Sequence, residues 1–288
     1  MINEGRKRIG VVTDSTAYLP PEVICQYGIR VVPLVVRFGE DTFAEGLEID
    51  NRTFYSRFRQ EKTLPKTSQP AVGDFVKAYQ ELMQEKEGII SIHISGGISG
   101  TVEAAHAAAA MLPGARIEIV DSQISCLALG FMAWEAAVMS SRGCSMEEIL
   151  ERVKWIRSVI RSYFMVDDLE YLKIGGRISS TSAIIGSLLQ VKPILHFVEG
   201  KIEVYEKTRT KKKAVSRMLE LLAPHLSGAK KMRVAVIHAD APAEGEEMKQ
   251  AIEKMDPRAE VHLSEFGPVI GTYLGPGALG LTFYPYDT

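Results

Sequence analysis

Residues 8–14 read RIGVVTD and residues 88–95 read GIISIHIS, and these two stretches decide the predicted fold. Each is a run of apolar residues that closes on polar ones, which is typical of a parallel strand buried on both faces. A helical pattern follows each run, one opened by Pro20-Pro21 and one, rich in alanine, starting at Thr101. Strands that alternate with helices predict a mostly parallel sheet with right-handed crossovers.

The rest of the chain predicts two α/β domains. In the first half, further strands are predicted at 29–36 and 116–121, helices at 21–27, 50–58, 72–83, 127–142 and 145–161, and a polar loop at 64–70. After Tyr163 the pattern becomes that of a mixed sheet, with a hairpin whose tight turn is Glu199-Gly200. A helix at 211–225, a strand–helix–strand unit over 233–265 and a last strand at 278–284 follow. We therefore predict a domain 1–160 with a mostly parallel sheet flanked by helices, and a domain 161–288 with a mixed sheet.

The composition is that of a globular protein and excludes several classes. The chain has 288 residues, of which 46% are hydrophobic and 24% charged, enough for two domains with cores of their own. Its formal net charge of −2 argues against a nucleic-acid partner, which a basic excess would favour. The three cysteines lack metal-ligand spacing, no apolar leader opens the chain, and no run approaches the roughly 20 apolar residues of a membrane span. We expect a cytoplasmic protein with no transmembrane segment and no metal.

Three polar loops stand at strand ends or helix starts, where α/β proteins place ligands. They are Thr13–Thr16 (TDST), Lys66–Pro70 (KTSQP) and Ser95–Thr101 (SGGISGT). A helix N-terminus offers unpaired N–H groups and partial positive charge, and hydroxyls add neutral donors, so each loop suits a small anion. Serine and threonine are also the commonest helix caps, so capping alone explains each loop taken singly.

No self-contained catalytic motif is present. Ser99 sits on a strand-to-helix turn, but the hydrolase elbow needs Gly-x-Ser-x-Gly and Thr101 stands where its second glycine is required. The same loop lacks the Gly-Lys-Ser/Thr ending of a nucleotide-binding P-loop. His93 and His238 lie inside apolar strand patterns, which predicts buried, hydrogen-bonded side chains.

Two arginines and a glycine-rich segment are further candidates. Arg177 follows Gly175-Gly176, and Arg209 belongs to a basic run that continues through Lys211–Lys213. Either could face an anion or a partner, and either could equally be a solvated surface charge. The segment Gly271–Gly277 (GTYLGPG) predicts a tight turn where backbone can approach a ligand closely.

Five ordered motifs together resemble those of the DegV family over nearly the whole chain. They are Val12–Thr16 (VTDST), Thr67–Pro70 (TSQP), Ser99–Thr101 (SGT), Asp168–Leu172 (DLEYL) running into Gly175–Ser179 (GGRIS), and Gly275–Gly277 (GPG). The resemblance implies a fatty-acid-binding protein that buries a long-chain fatty acid between two α/β domains and needs no cofactor. It also implies the binding subunit of a bacterial fatty acid kinase, which presents the carboxylate to a separate ATP-dependent kinase subunit. That subunit would form an acyl-phosphate for phospholipid synthesis.

The same resemblance implies roles for individual residues. Those that would bind the fatty-acid carboxylate are Thr67, Ser68, Ser99 and Gly275. Those that would lie at the mouth or face the kinase are Arg177, Arg209 and Tyr273.

One of these positions departs from the family pattern. Many members carry histidine in a Gly-x-His-x-Gly-Pro-Gly segment, where this chain has Tyr273. Tyrosine can donate a hydrogen bond but stays neutral near pH 7, whereas histidine can take up a charge. Two alternatives to the kinase subunit therefore stay open: a lipid sensor or storage protein without phosphorylation, and an autonomous acyl hydrolase using Ser99.

Overall fold

The apolar runs near residues 10 and 90 form adjacent strands of one sheet, as predicted. The computed structural model describes residues 9–61, 63–178, 191–228 and 230–286. Its strands are β1 (Ile9–Asp14), β2 (Arg30–Val32), β3 (Val35–Phe38), β4 (Asp41–Ala44), β5 (Lys66–Ser68), β6 (Gly88–His93), β7 (Ile117–Asp121), β8 (Arg161–Met165), β9 (Lys192–Val198), β10 (Lys201–Thr208), β11 (Lys231–His238), β12 (Glu260–Glu265) and β13 (Leu279–Tyr286). Its helices are α1 (Pro21–Tyr27), α2 (Asn51–Gln60), α3 (Val72–Met83), α4 (Thr101–Ala110), α5 (Cys126–Ser141), α6 (Met146–Val159), α7 (Glu170–Ile174), α8 (Lys211–Leu226), α9 (Pro242–Met255) and α10 (Pro268–Leu274).

The first sheet is wholly parallel and has the order β2-β1-β6-β7. Every residue of β1 and β6 is buried, which accounts for their uninterrupted apolar sequence. Helices α3 and α4 pack on this sheet through a cluster that includes Phe75, Tyr79 and Ala105. Helix α5 is apolar around most of its circumference and is buried along most of its length.

The predicted strand at 29–36 is wrong, because the structure has two short strands there. Strand β2 lies at the edge of the parallel sheet, and β3 belongs to a different, three-stranded sheet of order β4-β3-β5. The break falls at Pro33, which has no N–H to donate, and at Leu34, whose N–H donates to Ser15 Oγ at 3.0 Å. The predicted loop at 64–70 is also wrong in part, since β5 pairs with β3.

The second large sheet is mixed, as predicted, and has the order β10-β9-β8-β13-β11-β12. Strands β11 and β12 are parallel and the other pairs antiparallel. The Glu199-Gly200 turn has φ of 48° and 79°, the left-handed pair of values that a two-residue hairpin needs. Helices α8 and α9 cover the sheet through a core that includes Met218, Leu222 and Ile252. Strand β8 was not predicted, and its first residue, Arg161, was assigned to the end of the preceding helix.

Contacts between residues divide the chain into two units whose bounds differ from those of the predicted domains. One unit holds the described residues up to Val35 and Ser68–Ser158, and the other holds Val36–Thr67 and the described residues from Val159 onward. A single boundary near residue 160 does not describe this division, because 36–67 groups with the C-terminal part. Hydrogen bonds explain the grouping: the Tyr55 hydroxyl donates to Phe266 O at 2.7 Å, and Asn51 Nδ2 donates to Glu265 at 2.8 Å. No helix among the described ranges is long and apolar enough to cross a membrane.

Candidate functional site

A short hydrogen bond joins two of the predicted site residues in the second unit. The Thr67 and Tyr273 hydroxyl oxygens lie 2.5 Å apart, with Thr67 in the middle of β5 and Tyr273 in the last turn of α10. Both side chains are half-buried. One hydroxyl donates and the other accepts, so the donor left over can serve a third acceptor such as a carboxylate oxygen.

The Tyr273 ring is held on two sides. Gly175 lies against it so closely that a Cβ on Gly175 would stand 2.6 Å from Tyr273 Cε1. The Arg177 guanidinium carbon lies 4.8 Å from the ring centroid, within range of a cation–π contact, and Arg177 Nη1 donates to Gly175 O at 2.6 Å. Gly175 therefore makes room for the tyrosine, and Arg177 packs on Tyr273.

Gly275 occupies a backbone position that only glycine fits. Its φ of 66° and ψ of 171° lie in a region that is essentially restricted to glycine. The Tyr171 ring fills the space beside it, since a Cβ on Gly275 would stand 2.5 Å from Tyr171 Cδ2. Tyr171 packs edge-on against Phe58 at a centroid distance of 5.3 Å, and burial raises the pKa of its hydroxyl, helped by the charge of Asp168.

The prediction of a tight turn over 271–277 is corrected by this geometry. Residues up to Leu274 are helical, and the Gly275 N–H donates to Gly271 O at 2.8 Å, closing the last turn of α10. Only the Gly-Pro-Gly end leaves the helix. Gly271 is required for packing instead, because a Cβ there would stand 2.8 Å from both the Phe54 ring and the Tyr55 hydroxyl.

Ser68 and Ser99 belong to the other unit. Ser68 ends β5 and is exposed, while Ser99 is half-buried in the loop between β6 and α4. Ser99 Oγ lies 2.8 Å from Thr101 Oγ1, and the Ser99 N–H donates to Ser95 O at 3.1 Å. Gln69 packs against Gly100, and a Cβ added to Gly100 would lie 2.9 Å from Gln69 Cδ. The loop therefore holds a hydroxyl pair at the start of α4.

A nucleophile at Ser99 has no support within the described ranges. His93 is fully buried and pairs with Asp14 and Ser91 instead, and His238 is buried in the other unit, as predicted for both histidines. The same ranges contain no group of acidic, histidine or cysteine side chains arranged to hold a metal ion.

The structure places Arg177 beside Tyr273 and Arg209 directly after strand β10. Arg209 is exposed at the end of β10, in a groove of about 390 Å³ that Lys213 and Arg217 also line. Glutamates share this groove, and Arg217 pairs with Glu206 at 2.9 Å. The basic run thus lies on a surface of mixed charge.

Several residues around these groups were not predicted. Tyr171 and Gln69 lie inside motifs quoted from the sequence, yet nothing in their spacing showed that they pack on Gly275 and Gly100. Asp167 lies against Gly277 and pairs with Lys192 at 3.1 Å and Lys211 at 3.6 Å. Such pairs join positions far apart in the chain, which a single sequence does not reveal.

One unit is built on a parallel sheet and the other on a mixed sheet, and each carries hydroxyl groups at strand or helix ends, which defines a protein of the two-unit α/β class. The chain belongs to the DegV family. The family model described as an uncharacterised protein of the DegV family matches residues 8–286.

Named relatives agree with this assignment. Protein DegV of Bacillus subtilis is 47% identical over 274 residues, covering 95% of this chain and 98% of that protein. The crystal structure of DegV from Bacillus subtilis, described as a fatty acid binding protein, matches with a TM-score of 0.92 at 46% identity, over 97% of this chain and 100% of the other. A DegV family protein from Thermus thermophilus, whose structure is described by its fatty acid binding, matches with a TM-score of 0.90 at 34% identity, over 97% and 100%.

Proposed function

We propose that this protein is a carrier that buries a long-chain fatty acid and has no catalytic activity of its own. The observation that carries the proposal is the Thr67–Tyr273 hydroxyl pair, in a chain whose similar solved structures are described as fatty acid binding proteins. Hydroxyl and backbone donors can hold one carboxylate without a buried lysine or arginine. We assign head-group contacts to Thr67, Ser68, Ser99 and Gly275.

The energetics favour a carboxylic acid with a long tail. A buried carboxylate costs several kcal/mol unless donors surround it, so more than one of these four groups must contribute. Each methylene of the tail that leaves water contributes about 0.8 kcal/mol, which makes affinity rise with chain length for as long as the protein shelters the tail.

We further propose that the bound acid is the substrate of a separate ATP-dependent kinase subunit in the cytoplasm. A carboxylate oxygen would attack the γ-phosphorus of ATP, ADP would leave, and the acyl-phosphate would serve phospholipid synthesis. Arg177 and Arg209 would face the kinase subunit, with Tyr273 at the mouth. Positive charge there is suited to the phosphates of the nucleotide or to an acidic surface of the partner.

The second candidate is a lipid sensor or storage protein that does not pass its ligand to a kinase. The observation in its favour is Tyr273 itself, whose hydroxyl lies 2.5 Å from that of Thr67, at the position where the family resemblance implies a histidine. Such a protein would bind the same acid, but no acyl-phosphate would form.

One experiment tests the carrier, and a second separates the two candidates. Native mass spectrometry of the purified protein should show one fatty acid per chain, and the double variant Thr67→Ala, Ser99→Ala should lose it. A protein that carries no lipid and binds none when offered palmitate or oleate would overturn the proposal. A bacterial fatty acid kinase subunit and ATP are then added, and acyl-phosphate is trapped with hydroxylamine; no hydroxamate from the loaded protein would favour the sensor.

A further inference from the structure

A chain of buried polar side chains runs through the first unit and includes none of the residues assigned to ligand binding. It comprises Asp14, His93, Ser91 and Tyr79, and each of the four is completely buried. His93 Nδ1 lies 3.1 Å from Asp14 Oδ2, His93 Nε2 lies 2.6 Å from Ser91 Oγ, and Ser91 Oγ lies 2.9 Å from the Tyr79 hydroxyl. We call it the Asp14 chain.

One arrangement of protons satisfies every contact of the Asp14 chain. Burial raises the pKa of Tyr79 to about 12, so its hydroxyl keeps its proton and can donate to Ser91. In this arrangement Ser91 donates to His93 Nε2, and His93 donates from Nδ1 to Asp14 Oδ2. The order acid–histidine–serine matches that of a hydrolase triad, but complete burial keeps the Ser91 hydroxyl away from any substrate. The chain is therefore better placed to fix geometry than to react.

Asp14 ties together the ends of the two central strands. Its Oδ2 also accepts from the Ile94 N–H at 2.8 Å, directly after β6, while its Oδ1 accepts from Thr16 N at 3.1 Å and Thr16 Oγ1 at 2.5 Å. One carboxylate thus serves the end of β1 and the end of β6. A buried carboxylate with four partners is well satisfied, and the loss of one partner is costly.

The Ile94 hydrogen bond is next to the loop that carries Ser99. Ser95 follows immediately, its N–H donates to Ile124 O at 2.9 Å, and its carbonyl accepts from Ile98 N and Ser99 N, both at 3.1 Å. The Gly97 N–H donates to Ser95 Oγ at 3.1 Å. Asp14 therefore fixes Ile94, the residue directly before a turn that runs from Ser95 to Ser99.

We infer that Asp14 and His93 are positioning residues for Ser99: they fix the start of the 95–101 loop and so set the direction of the Ser99 hydroxyl toward the fatty-acid carboxylate. This inference rests on the proposed function, because it needs Ser99 to contact the ligand. It assigns a role to completely buried side chains, of which only Asp14 belongs to one of the five family motifs.

The test is a double-mutant cycle on palmitate affinity, measured by isothermal titration calorimetry on the full chain freed of bound lipid. Asp14→Asn replaces one of the two carboxylate oxygens, each of which accepts hydrogen bonds, by an NH2 group that can only donate. It should lower palmitate affinity about tenfold in the wild-type background. In the Ser99→Ala background the same substitution should change affinity less than about twofold, because the hydroxyl it positions is gone. In the Thr67→Ala background the Ser99 hydroxyl is still present, so the effect should again be about tenfold.

Two control variants separate positioning from general stability. Thr16→Ala removes the 2.5 Å hydrogen bond to the other oxygen of the same carboxylate, and it should lower the melting temperature while changing affinity less than about twofold. His93→Asn keeps a nitrogen at the position of Nδ1, which contacts Asp14, and should leave palmitate affinity unchanged. His93→Gln keeps a nitrogen only at the position of Nε2, which contacts Ser91, and should lower palmitate affinity about fivefold. If Asp14→Asn does not fold, the two His93 variants make the same test.

The outcomes distinguish the two proposals. An equal effect of Asp14→Asn with and without Ser99, or equal affinities of His93→Asn and His93→Gln, overturns the positioning role and leaves the carrier standing. Unchanged palmitate affinity in both Ser99→Ala and Thr67→Ala overturns the head-group assignment, and the positioning role with it.

Discussion

Replacing Gly275 by alanine should destabilise the second unit by an amount that the structure allows us to work out. The backbone at φ 66° and ψ 171° costs a residue with a Cβ about 1–3 kcal/mol. The new Cβ would stand 2.4 Å from Tyr171 Cε2, and relieving that overlap in a packed core costs about 1–3 kcal/mol more. The sum is about 2–6 kcal/mol, a large part of the 5–15 kcal/mol that roughly bounds the stability of a folded domain.

The assay is urea unfolding of lipid-free protein, so that ligand binding does not add to the stability. Gly28→Ala is the matched control, because Gly28 has φ of 63° and ψ of 36° but no atom within 4 Å of the added Cβ. It should cost only the left-handed backbone term of about 1–2 kcal/mol. In a Tyr171→Ala background, Gly275→Ala should lose the overlap and keep only the backbone strain. If Gly275→Ala costs no more than Gly28→Ala in the wild-type background, the argument from the Tyr171 contact is wrong.

Each of the next three predictions concerns residues of a single unit, the second for Tyr273 and His238 and the first for Gly130. Tyr273→Phe removes the hydroxyl 2.5 Å from that of Thr67 and should lower palmitate affinity about threefold to tenfold in calorimetry. Tyr273→His should make palmitate affinity vary with pH around pH 6.5, the ordinary histidine pKa. Unchanged affinity in Tyr273→Phe would contradict the head-group role. Burial lowers the pKa of His238 below 6.5, so the unfolded chain binds a proton on this side chain at a higher pH than the folded protein does. The free energy of unfolding should therefore have its full value above pH 6.5 and fall as the pH drops toward the pKa of the folded state. Urea titrations should show that this pH-dependent contribution is absent in His238→Gln. Gly130→Ala puts a Cβ 2.4 Å from the backbone oxygen of Ala17 and should cost about 2–4 kcal/mol by the same assay; a cost under about 1 kcal/mol would mean that α5 can shift.

The position of Tyr273 bears on how the two candidate functions differ. Its hydroxyl bonds to Thr67, and Gly175 and Arg177 pack on its ring, so a cation neighbours the position where the family resemblance implies a histidine. The proposal of a kinase partner therefore assigns the positive charge at this position to Arg177. The hydroxamate assay with Tyr273→His measures whether the imidazole is needed.

Several features were predictable from the sequence because their causes are local. The buried strands β1 and β6 are continuous apolar runs, Asp50 caps α2 by accepting from Thr53 N, and Glu199-Gly200 forms the hairpin turn. The ordered motifs were enough to place the chain in its family, which the family model and the solved structures confirm. The site assignments for Thr67, Ser68, Ser99 and Gly275 stay predictions.

Other features depend on contacts between distant parts of the chain, and only the tertiary structure decided them. The helical state of residues 271–274 was hidden by three glycines and a proline, whose turn preference is overcome by packing of α10 on Phe54 and Tyr55. The predicted strand at 29–36 is divided into two strands where the Leu34 N–H donates to Ser15 Oγ. The grouping of 36–67 with the C-terminal part depends on hydrogen bonds to 265–269.

The sequence by itself determined the class of fold and the family, because periodicity, turn chemistry and ordered motifs are carried by residues close together in the chain. The tertiary structure decided which side chains meet: Thr67 with Tyr273 across 206 positions, and Asp14 with His93 across 79. The physical reason is that hydrogen bonds and steric contacts act over a few ångströms of space, while the order of residues along the chain does not specify which distant residues come that close.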